Sequence, residues 1–461
     1  MRRLGYDTAN ERRTRLMYVK KGQLTAKERA EMMGGMSAVR KPLLLLLLVQ
    51  AAMGAFAFAK GVGPEYLMIC AGLIPCTVTV LVLARNADWY LAIWVLMLIT
   101  TGFITQLITS GSKADVAGML LKLAVAIAAA SAAALAFRFW GKMLGREWAG
   151  ILLMLLQACI YLFLAVKGTT VGQAGGSQAA RITLEIAGND IQILELTRMI
   201  YVCVLVLLLC KQSKDTFLFI PRETAAILYT VITMAVPVFF RDLGSSLIIG
   251  GIFLIVYTTF AKNRKQVLFM WIAVLIAAAV GVLLVIGLKD AGIFKKIYLR
   301  FYYFLFPEKD IARYGYQYIQ IRQALAVGGL LGADSRRYMF DIARQRDDLA
   351  YVKLVQTSGA LVGIVVILTF LLLFREGYKI ARNSNNRFCQ GLAWGITANI
   401  AVQTLVHIGY CSGSMPITGV PLLFFSAGYT NIASSLMQIA VLLMLSTGFM
   451  EGEIGYEEPD V

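Results

Sequence analysis

The sequence predicts an all-α polytopic membrane protein with about twelve transmembrane helices, and three observations support this. Hydrophobic residues make up 59% of the 461 residues, the mean hydropathy is +0.70, and only 15% of residues are charged. A soluble protein of this length could not bury so much apolar surface. Apolar stretches of the ~20 residues that a spanning helix needs recur along the chain. Successive loops are also alternately rich and poor in basic residues, which is the pattern that the positive-inside rule describes for membrane proteins.

Each predicted span is one of these apolar stretches, and an isolated Pro or Gly inside it does not exclude a helix, because neighbouring spans can satisfy the backbone. The domain organisation follows: a basic tail (1–41), N-terminal membrane helices (42–166), a membrane core (167–447) containing a large outer loop (289–353), and an acidic tail (448–461). The predicted spans are 42–60, 65–84, 89–110, 117–137, 149–166, 192–210, 224–240, 243–261, 267–288, 354–374, 388–408 and 423–447.

The net charge of +17 reflects membrane topology and does not indicate nucleic-acid binding. The tail 1–41 holds eleven Lys/Arg against four Asp/Glu, and the short loops near 85, 138–146, 211–222, 262–265 and 375–387 are basic. The loops between them carry little positive charge. By the positive-inside rule both termini are cytoplasmic, and the basic tail lies against anionic lipid.

Several kinds of site have no signature in the sequence. The seven cysteines form no CxxC pair, and the single histidine, His407, excludes a His-cluster metal site. No phosphate-binding glycine motif occurs in a strand–helix context, so no nucleotide cofactor is expected. No cleavable signal peptide is expected, because the first apolar run begins after forty polar residues.

Polar groups at membrane depth are costly and are therefore candidate functional residues. Glu195 and Arg198 are three residues apart on one helix face, so they either bind a ligand or neutralise each other. Asp242 lies in FFRDLGSSL, where it is either a site residue or a helix N-cap. Gln403 and His407 are one turn apart, and packing is the simpler explanation for the histidine.

The segment 289–353 is too long for a simple connection between helices. It contains twelve Lys/Arg and seven Asp/Glu, including the stretch FPEKDIARYGYQ (306–317). One interpretation is a solvated interfacial helix. The other is a site for an anionic headgroup, because Lys and Arg bind phosphate and pyrophosphate.

Five elements between about residue 170 and residue 447 resemble the SEDS family (shape, elongation, division, sporulation), which includes FtsW, RodA and SpoVE. IQILELTR is similar to the family's QPSE-x-x-K element, and FFRDLGSS to its PDLGT element. FPEKDIARYGYQYIQ resembles its Pro-Glu-x-Asp…Gly-Tyr-Gln-x-x-Gln element, which ALAVGGLLG (324–332) continues. MPITGVPLLFFSAG (415–428) resembles its Pro-x-Thr-Gly-x-Pro run.

The chain departs from the family pattern at several positions. Ile342-Ala343-Arg344 replaces Leu-Pro-Glu, Gln356-Thr357 replaces Glu-Glu, and His407 stands where the family has Asn. Two spans precede the ten-span family core. The resemblance therefore implies a divergent member.

The resemblance implies a peptidoglycan glycosyltransferase that polymerises lipid II at the outer face of a bacterial plasma membrane, for division, elongation or sporulation. It implies a class B penicillin-binding protein as partner and a divalent cation (Mg²⁺ or Mn²⁺) as candidate cofactor. Asp310 occupies the position of the essential aspartate, as general base, with Asp348 next in line. The candidate substrate-binding residues are Arg181, Gln192, Glu195, Arg198, Asp242, Lys309, Arg313, Gln317, Gln320, Arg322, Arg336, Arg337, Asp348, Gln403 and Thr418.

Two alternatives stay open. A flippase or transporter of lipid-linked precursors would need a continuous polar path to the cytoplasm, and the inner halves of the spans show little sign of one. A non-catalytic scaffold of a cell-wall synthesis complex is favoured by the altered Glu-Glu position and disfavoured by the intact element around Asp310.

Overall fold

The computed structural model describes residues 88–110, 113–167, 169–170, 181–186, 189–210, 216–217, 219–240, 242–262, 264–312, 314–333, 348–426 and 428–448, with isolated positions between 44 and 58. Backbone alone is described at 109–110, 113–116, 169–170, 181–186, 189–191 and 293. The predicted spans 42–60 and 65–84 and both tails therefore lie wholly or mostly outside the described residues.

The described residues are mainly helical. The helices are α1 (Trp89–Ser110), α2 (Lys113–Leu144), α3 (Glu147–Lys167), α4 (Ile193–Cys210), α5 (Arg222–Phe239), α6 (Leu243–Phe260), α7 (Arg264–Gly287), α8 (Gly292–Leu305), α9 (Tyr316–Gly328), α10 (Ala350–Asn383), α11 (Arg387–Cys411) and α12 (Tyr429–Ser446). An antiparallel sheet joins α3 to α4, with β1 (Thr169–Thr170), β2 (Arg181–Ile186) and β3 (Asn189–Gln192); a hairpin, β4 (Thr216–Phe217) and β5 (Ile220–Pro221), precedes α5.

Ten of these helices, α1 to α7 and α10 to α12, are long and apolar enough to cross a membrane within the part of the chain that the structure describes. They correspond one by one to the last ten predicted spans. The protein is therefore a multi-pass, all-α membrane protein, as predicted. The total of twelve spans depends on residues outside the described ranges.

Capping groups in the sequence set several helix starts. Asp88 accepts a hydrogen bond from the Tyr90 N–H at 2.9 Å at the start of α1, and Asn386 accepts one from Phe388 N–H at 2.8 Å at the start of α11. Asp242 caps α6 in the same way. Short polar side chains at these positions satisfy backbone donors that have no partner inside the helix.

Among the described spans, the most buried are α1, α11, α4 and α12. Glycines let α11 lie close to α4: a Cβ added at Gly391 would lie 2.5 Å from Cys210 Sγ, and one at Gly395 would lie 2.7 Å from Val202 Cγ1. Small residues at helix contacts are how membrane helices gain packing contacts without a hydrophobic driving force. α7 lies at the opposite extreme, with almost all of its side chains exposed on the surface of the bundle.

The segment predicted as a large outer loop, 289–353, is largely helical where it is described. It contains α8, a 3₁₀ turn at Pro307–Asp310, and α9; residues 334–347 lie outside the described ranges. The two helices in this segment agree with the interpretation of an interfacial helix.

Helix α10 is interrupted at Gly359, whose φ of 87° and ψ of 166° are not helical. The turn 329–332 after α9 fills the interruption, because Ala360 N–H donates to Gly329 O at 2.9 Å and Leu361 N–H to Leu330 O at 3.2 Å. Backbone groups that the break would leave unpaired are therefore satisfied, as a membrane interior requires.

Candidate functional site

Most of the predicted site residues whose side chains are described lie in or beside two loops. The first is the Asp310 loop, which we define as residues 306–315. The second is the Thr418 loop, defined as residues 416–421, between α11 and α12. The geometry of each loop follows from its proline and glycine positions.

The Asp310 loop is a closed turn. Pro307 begins the 3₁₀ turn that ends at Asp310, and Gly315 N–H donates to Asp310 O at 2.9 Å. A Cβ added at Gly315 would lie 1.8 Å from Pro307 O, so no other residue fits there without moving the loop. The backbone that carries Asp310 is therefore held at both ends.

Two aromatic side chains, Tyr303 and Tyr314, stack at the Asp310 loop. Tyr303 on α8 stacks on Tyr314, with ring centroids 5.0 Å apart and an interplanar angle of 9°. Desolvation and then the negative charge of Asp310 raise the pKa of Tyr303, which shows that the carboxylate lies near this ring. Lys309 beside it is exposed. Arg313 lies outside the described residues.

Helix α9 carries the next predicted residues. Arg322 pairs with Glu308 of the Asp310 loop at 3.1 Å, and both side chains are more than half exposed. Such a pair stabilises little in water, so it leaves Arg322 available to exchange partners. Gln320 donates to the Tyr316 hydroxyl at 2.7 Å, and Gln317 is half-buried in the first turn.

Tyr318 on α9, the helix that follows the Asp310 loop, connects α8 and α9 to the Thr418 loop, a link that the sequence did not reveal. Its hydroxyl accepts a hydrogen bond from Ile417 N–H at 3.3 Å and lies 3.4 Å from Arg300 O. Burial is the largest cause of a raised pKa for this phenol. The hydroxyl therefore stays protonated at neutral pH and can hold both backbone groups.

A chain of hydrogen-bonded, buried polar side chains connects α4 and α11 to the Thr418 loop. Arg198 on α4 donates to Gln403 Oε1 at 2.7 Å, and Gln403 in turn donates to Pro421 O at 2.9 Å. Glu195 lies 3.8 Å from Arg198, with both side chains buried. The predicted pairing of Glu195 with Arg198 is confirmed, and the pair is connected to the loop through Gln403.

Asp242 lies on a second side of the Thr418 loop. Its carboxylate accepts hydrogen bonds from Ser245 N–H at 3.0 Å and from the Ser245 hydroxyl, so it is the N-cap of α6. Gly244 allows the loop to approach, since a Cβ there would lie 3.1 Å from Thr418 O and 2.6 Å from Val420 Cγ2. The N-cap interpretation is thus confirmed, at a position next to the candidate site.

Asp348 lies on the third side. A Cβ added at Gly419 would lie 3.7 Å from Asp348 Oδ2, and the φ of 73° at Gly419 turns the loop toward that carboxylate. The Thr418 hydroxyl oxygen is buried and has no hydrogen-bond partner among the described residues. A buried hydroxyl of this kind is a group that a ligand can satisfy.

Among the remaining predicted residues, Gln192 is the one whose side chain is described. Gln192 is at the end of β3, where its N–H donates to the Thr430 hydroxyl at 3.0 Å. The side chain of Arg181 on β2 is not described, and Arg336 and Arg337 lie outside the described residues. Their predicted roles in substrate binding stay predictions.

The described residues do not form a metal site. No group of three His, Cys, Asp or Glu side chains among them could hold a metal ion. A divalent cation therefore stays a prediction, and no step below depends on one.

Comparisons with known proteins identify relatives. The family described as cell cycle protein, of the FtsW, RodA and SpoVE type, matches residues 73–449. A probable peptidoglycan glycosyltransferase FtsW from Geobacter metallireducens is 25% identical over 306 residues, covering 66% of this chain and 78% of that protein. Stage V sporulation protein E of Bacillus subtilis is 25% identical over 309 residues, covering 65% and 79%.

Solved structures share the fold. A chain from a study of polymerization and crosslinking by a peptidoglycan synthase complex aligns with a TM-score of 0.61 at 19% identity, covering 78% of this chain and 97% of that chain. RodA of Thermus thermophilus, a rod shape determining protein, aligns with a TM-score of 0.50 at 19% identity, covering 78% and 96%.

Proposed function

Because this chain belongs to the FtsW/RodA/SpoVE family of cell cycle proteins, we propose that it is an inverting glycosyltransferase that polymerises lipid II at the outer face of the plasma membrane. Relatives named peptidoglycan glycosyltransferase support the reaction class. The observation that carries the proposal is the Asp310 loop, whose carboxylate lies on a closed turn. The helix that follows this turn, α9, contacts through Tyr318 the Thr418 loop, to which buried polar groups are hydrogen-bonded.

In the proposed reaction, the C4 hydroxyl of one sugar attacks the anomeric carbon of a second lipid-linked sugar. The hydroxyl is a weak nucleophile, so a carboxylate that accepts its proton lowers the barrier. Asp310 is the proposed general base. The bond from the anomeric carbon to the pyrophosphate oxygen breaks as the new bond forms, so the anomeric centre inverts.

The leaving polyprenyl pyrophosphate carries away the bonding electrons and gains negative charge. Basic side chains near the Asp310 loop stabilise such charge. Lys309 is exposed beside Asp310, and Arg322 can exchange Glu308 for a phosphate because their ion pair is solvated. Arg313, Arg336 and Arg337 are further proposed cations. The Thr418 loop, with Asp242 and Asp348 beside it, is the proposed binding surface for the sugar and peptide parts.

The proposal extends to orientation and partner. Both termini are placed in the cytoplasm on the basis of loop charge. The structural relative studied as part of a peptidoglycan synthase complex that polymerises and crosslinks supports a class B penicillin-binding protein as partner. Division, elongation and sporulation are all represented among the family names.

The test is polymerisation of labelled lipid II by purified full-length protein, with and without candidate transpeptidases and Mg²⁺, read as glycan ladders on a gel. Asp310→Asn should lose more than about 100-fold of the activity, since general-base catalysis contributes about 10²–10⁴-fold. Asp290→Asn, an exposed carboxylate just before α8, is the matched control and should stay within about twofold.

Two outcomes would contradict different parts of the proposal. Full activity of Asp310→Asn would remove Asp310 as the base. If the wild-type chain forms no polymer with any partner but moves labelled lipid II across proteoliposome membranes, the chain is a transporter instead.

A further inference from the structure

We propose that His407 and Tyr410 are positioning residues that together latch the Thr418 loop to the first turn of α10, and thereby set the places of Asp348 and Thr418 for substrate binding. The inference rests on the proposed function, because it assigns Asp348 and Thr418 to the binding of the lipid-linked substrate. We call these two side chains and the three backbone groups that they contact the His407 latch.

His407 on α11 is completely buried and uses both ring nitrogens. Nδ1 lies 2.7 Å from Val420 O in the Thr418 loop, and Nε2 lies 3.3 Å from Tyr351 N in α10. A carbonyl only accepts and an N–H only donates, so the proton is on Nδ1 and Nε2 is the acceptor. A second proton on Nε2 would face the Tyr351 N–H, so the latch requires a neutral ring.

The contact between His407 and Tyr351 N–H lies at the first turn of α10. The residue before the first turn of α10 is Leu349, whose side chain provides no cap. The N–H groups of a first turn have no partner within the helix, and Tyr351 N–H is one of these. His407 therefore caps α10 from a neighbouring helix.

Tyr410, one turn further along α11, holds the same two segments. Its single hydroxyl proton is shared between two acceptors, Asp348 O and, at 2.6 Å, Val420 O. Both residues thus connect the Thr418 loop with residues 348–351. The backbone of Asp348 and the backbone of Val420 meet at a single hydroxyl.

The latch fixes a distance that matters for binding. Asp348 Oδ2 faces Gly419, and the buried Thr418 hydroxyl lies on the adjacent residue. These two groups come from segments far apart in sequence, so their separation depends on contacts between the segments. Without the latch, Asp348 and Thr418 would have to be ordered when the substrate binds. This cost would make substrate binding weaker.

The test is a double-mutant cycle measured as steady-state polymerisation of lipid II. Tyr410→Phe removes only the hydroxyl and should raise KM about tenfold with kcat within about twofold, since an unsatisfied buried acceptor costs about 1–3 kcal/mol. In an Asp348→Asn background the same change should raise KM by less than about twofold, because residues that act as a unit are not additive.

Single-nitrogen variants separate the two contacts of the histidine. His407→Asn keeps a donor near Nδ1, and His407→Gln keeps an acceptor near Nε2; each should raise KM less than His407→Phe, which keeps neither. These histidine variants also test the latch independently if the Tyr410→Phe protein does not accumulate. The matched control is Thr404→Val on α11, a buried hydroxyl without a hydrogen-bond partner among the described residues, and its KM should be unchanged.

Additive effects of Tyr410→Phe and Asp348→Asn, or an equal loss of kcat with unchanged KM, would overturn the latch while leaving the proposed function intact. Absence of polymer from the wild-type chain would instead contradict the proposed function.

Discussion

Asp88 is a buried carboxylate at the end of the bundle opposite the candidate site. Its Oδ1 accepts hydrogen bonds from Tyr90 N–H and Leu91 N–H, and its own N–H donates to Ser446. Burial, and then the charge of Glu376, raise the pKa of Asp88 to about 6, although the two backbone donors and Lys379 oppose this shift. The folded protein therefore holds a proton here at a pH where an unfolded chain does not.

This raised pKa predicts a pH-dependent stability. Its contribution is fully present below the ordinary pKa of 3.8 and is lost as pH rises through about 6. Asp88→Asn keeps the acceptor for the two N–H groups and removes the charge. We expect the variant to be more stable than wild type by about 1–3 kcal/mol near pH 7, with no advantage near pH 4.

Thermal unfolding in detergent at several pH values measures this difference. Asp290→Asn, which is exposed, is the control and should track wild type at every pH. If Asp88→Asn is more stable than wild type by the same amount at pH 4 and at pH 7, the ionisation of the Asp88 carboxylate is not the cause of the difference in stability.

At the scale of residues, sequence patterns predicted charged groups better than they predicted their partners. Glu195 and Arg198 could be paired from their spacing of three residues, because a helix puts such positions on one face. Tyr318 and Tyr410 could not be identified, because each contacts backbone groups of a segment distant in sequence. For His407, packing was predicted and is confirmed by its complete burial, whereas its two hydrogen-bond partners required the structure.

At the scale of elements, hydropathy located the ten described spans closely. The predicted 192–210 is observed as Ile193–Cys210, and the predicted 243–261 as Leu243–Phe260. The largest differences concern α10, which extends from Ala350 to Asn383 where 354–374 was predicted, and α2, which extends from Lys113 to Leu144 where 117–137 was predicted. In addition, α12 begins at Tyr429 where 423 was predicted. Polar ends lengthen α10, and residues 423–426 form a turn that is as apolar as a helix. Hydropathy does not detect the polar ends of a helix, and it does not distinguish an apolar turn from an apolar helix.

The break in α10 gives the prediction at this scale. Gly359→Ala would place a Cβ 2.2 Å from Leu330 O at a φ of 87°, where side chains are strained. We expect a loss of more than about 3 kcal/mol of stability, seen as a lower melting temperature and poor recovery in detergent.

The matched control is Gly281→Ala on α7, where an added Cβ meets nothing within 4 Å. This change should be neutral or stabilise by about 0.5–1 kcal/mol, because alanine favours helix over glycine. Equal behaviour of the two variants would contradict the assignment of strain to Gly359.

At the scale of the molecule, the orientation in the membrane can be tested with α11, whose ends reach opposite sides. Residue 414 follows α11 on the side of the Thr418 loop, and residue 383 precedes it on the other side. In a cysteine-free background, Ser414→Cys should react with a membrane-impermeant maleimide in intact spheroplasts, and Asn383→Cys only after lysis. The reverse labelling pattern would place the candidate site in the cytoplasm and contradict an outer-face polymerase.

The family assignment rested on five short elements in the right order, and the match over residues 73–449 confirms it. The order of elements is a property of the whole chain, so it survives divergence that alters single residues such as His407. The arrangement of the elements in space, such as the contact between α9 and the Thr418 loop, needed coordinates because it depends on contacts between residues about a hundred positions apart.

The interruption of α10 has an evolutionary consequence. A Cβ at Gly328 would lie 2.3 Å from Val355 O, and one at Gly332 would lie 2.2 Å from Thr357 O, so the inserted turn and the broken helix share one space. A side chain at any one of the three glycine positions would fill the space between the turn and the broken helix, and the other two glycines would then no longer allow close packing. Descendants of this chain should therefore retain Gly328, Gly332 and Gly359 as a set, and a lineage that lost one would be released from selection to keep the others.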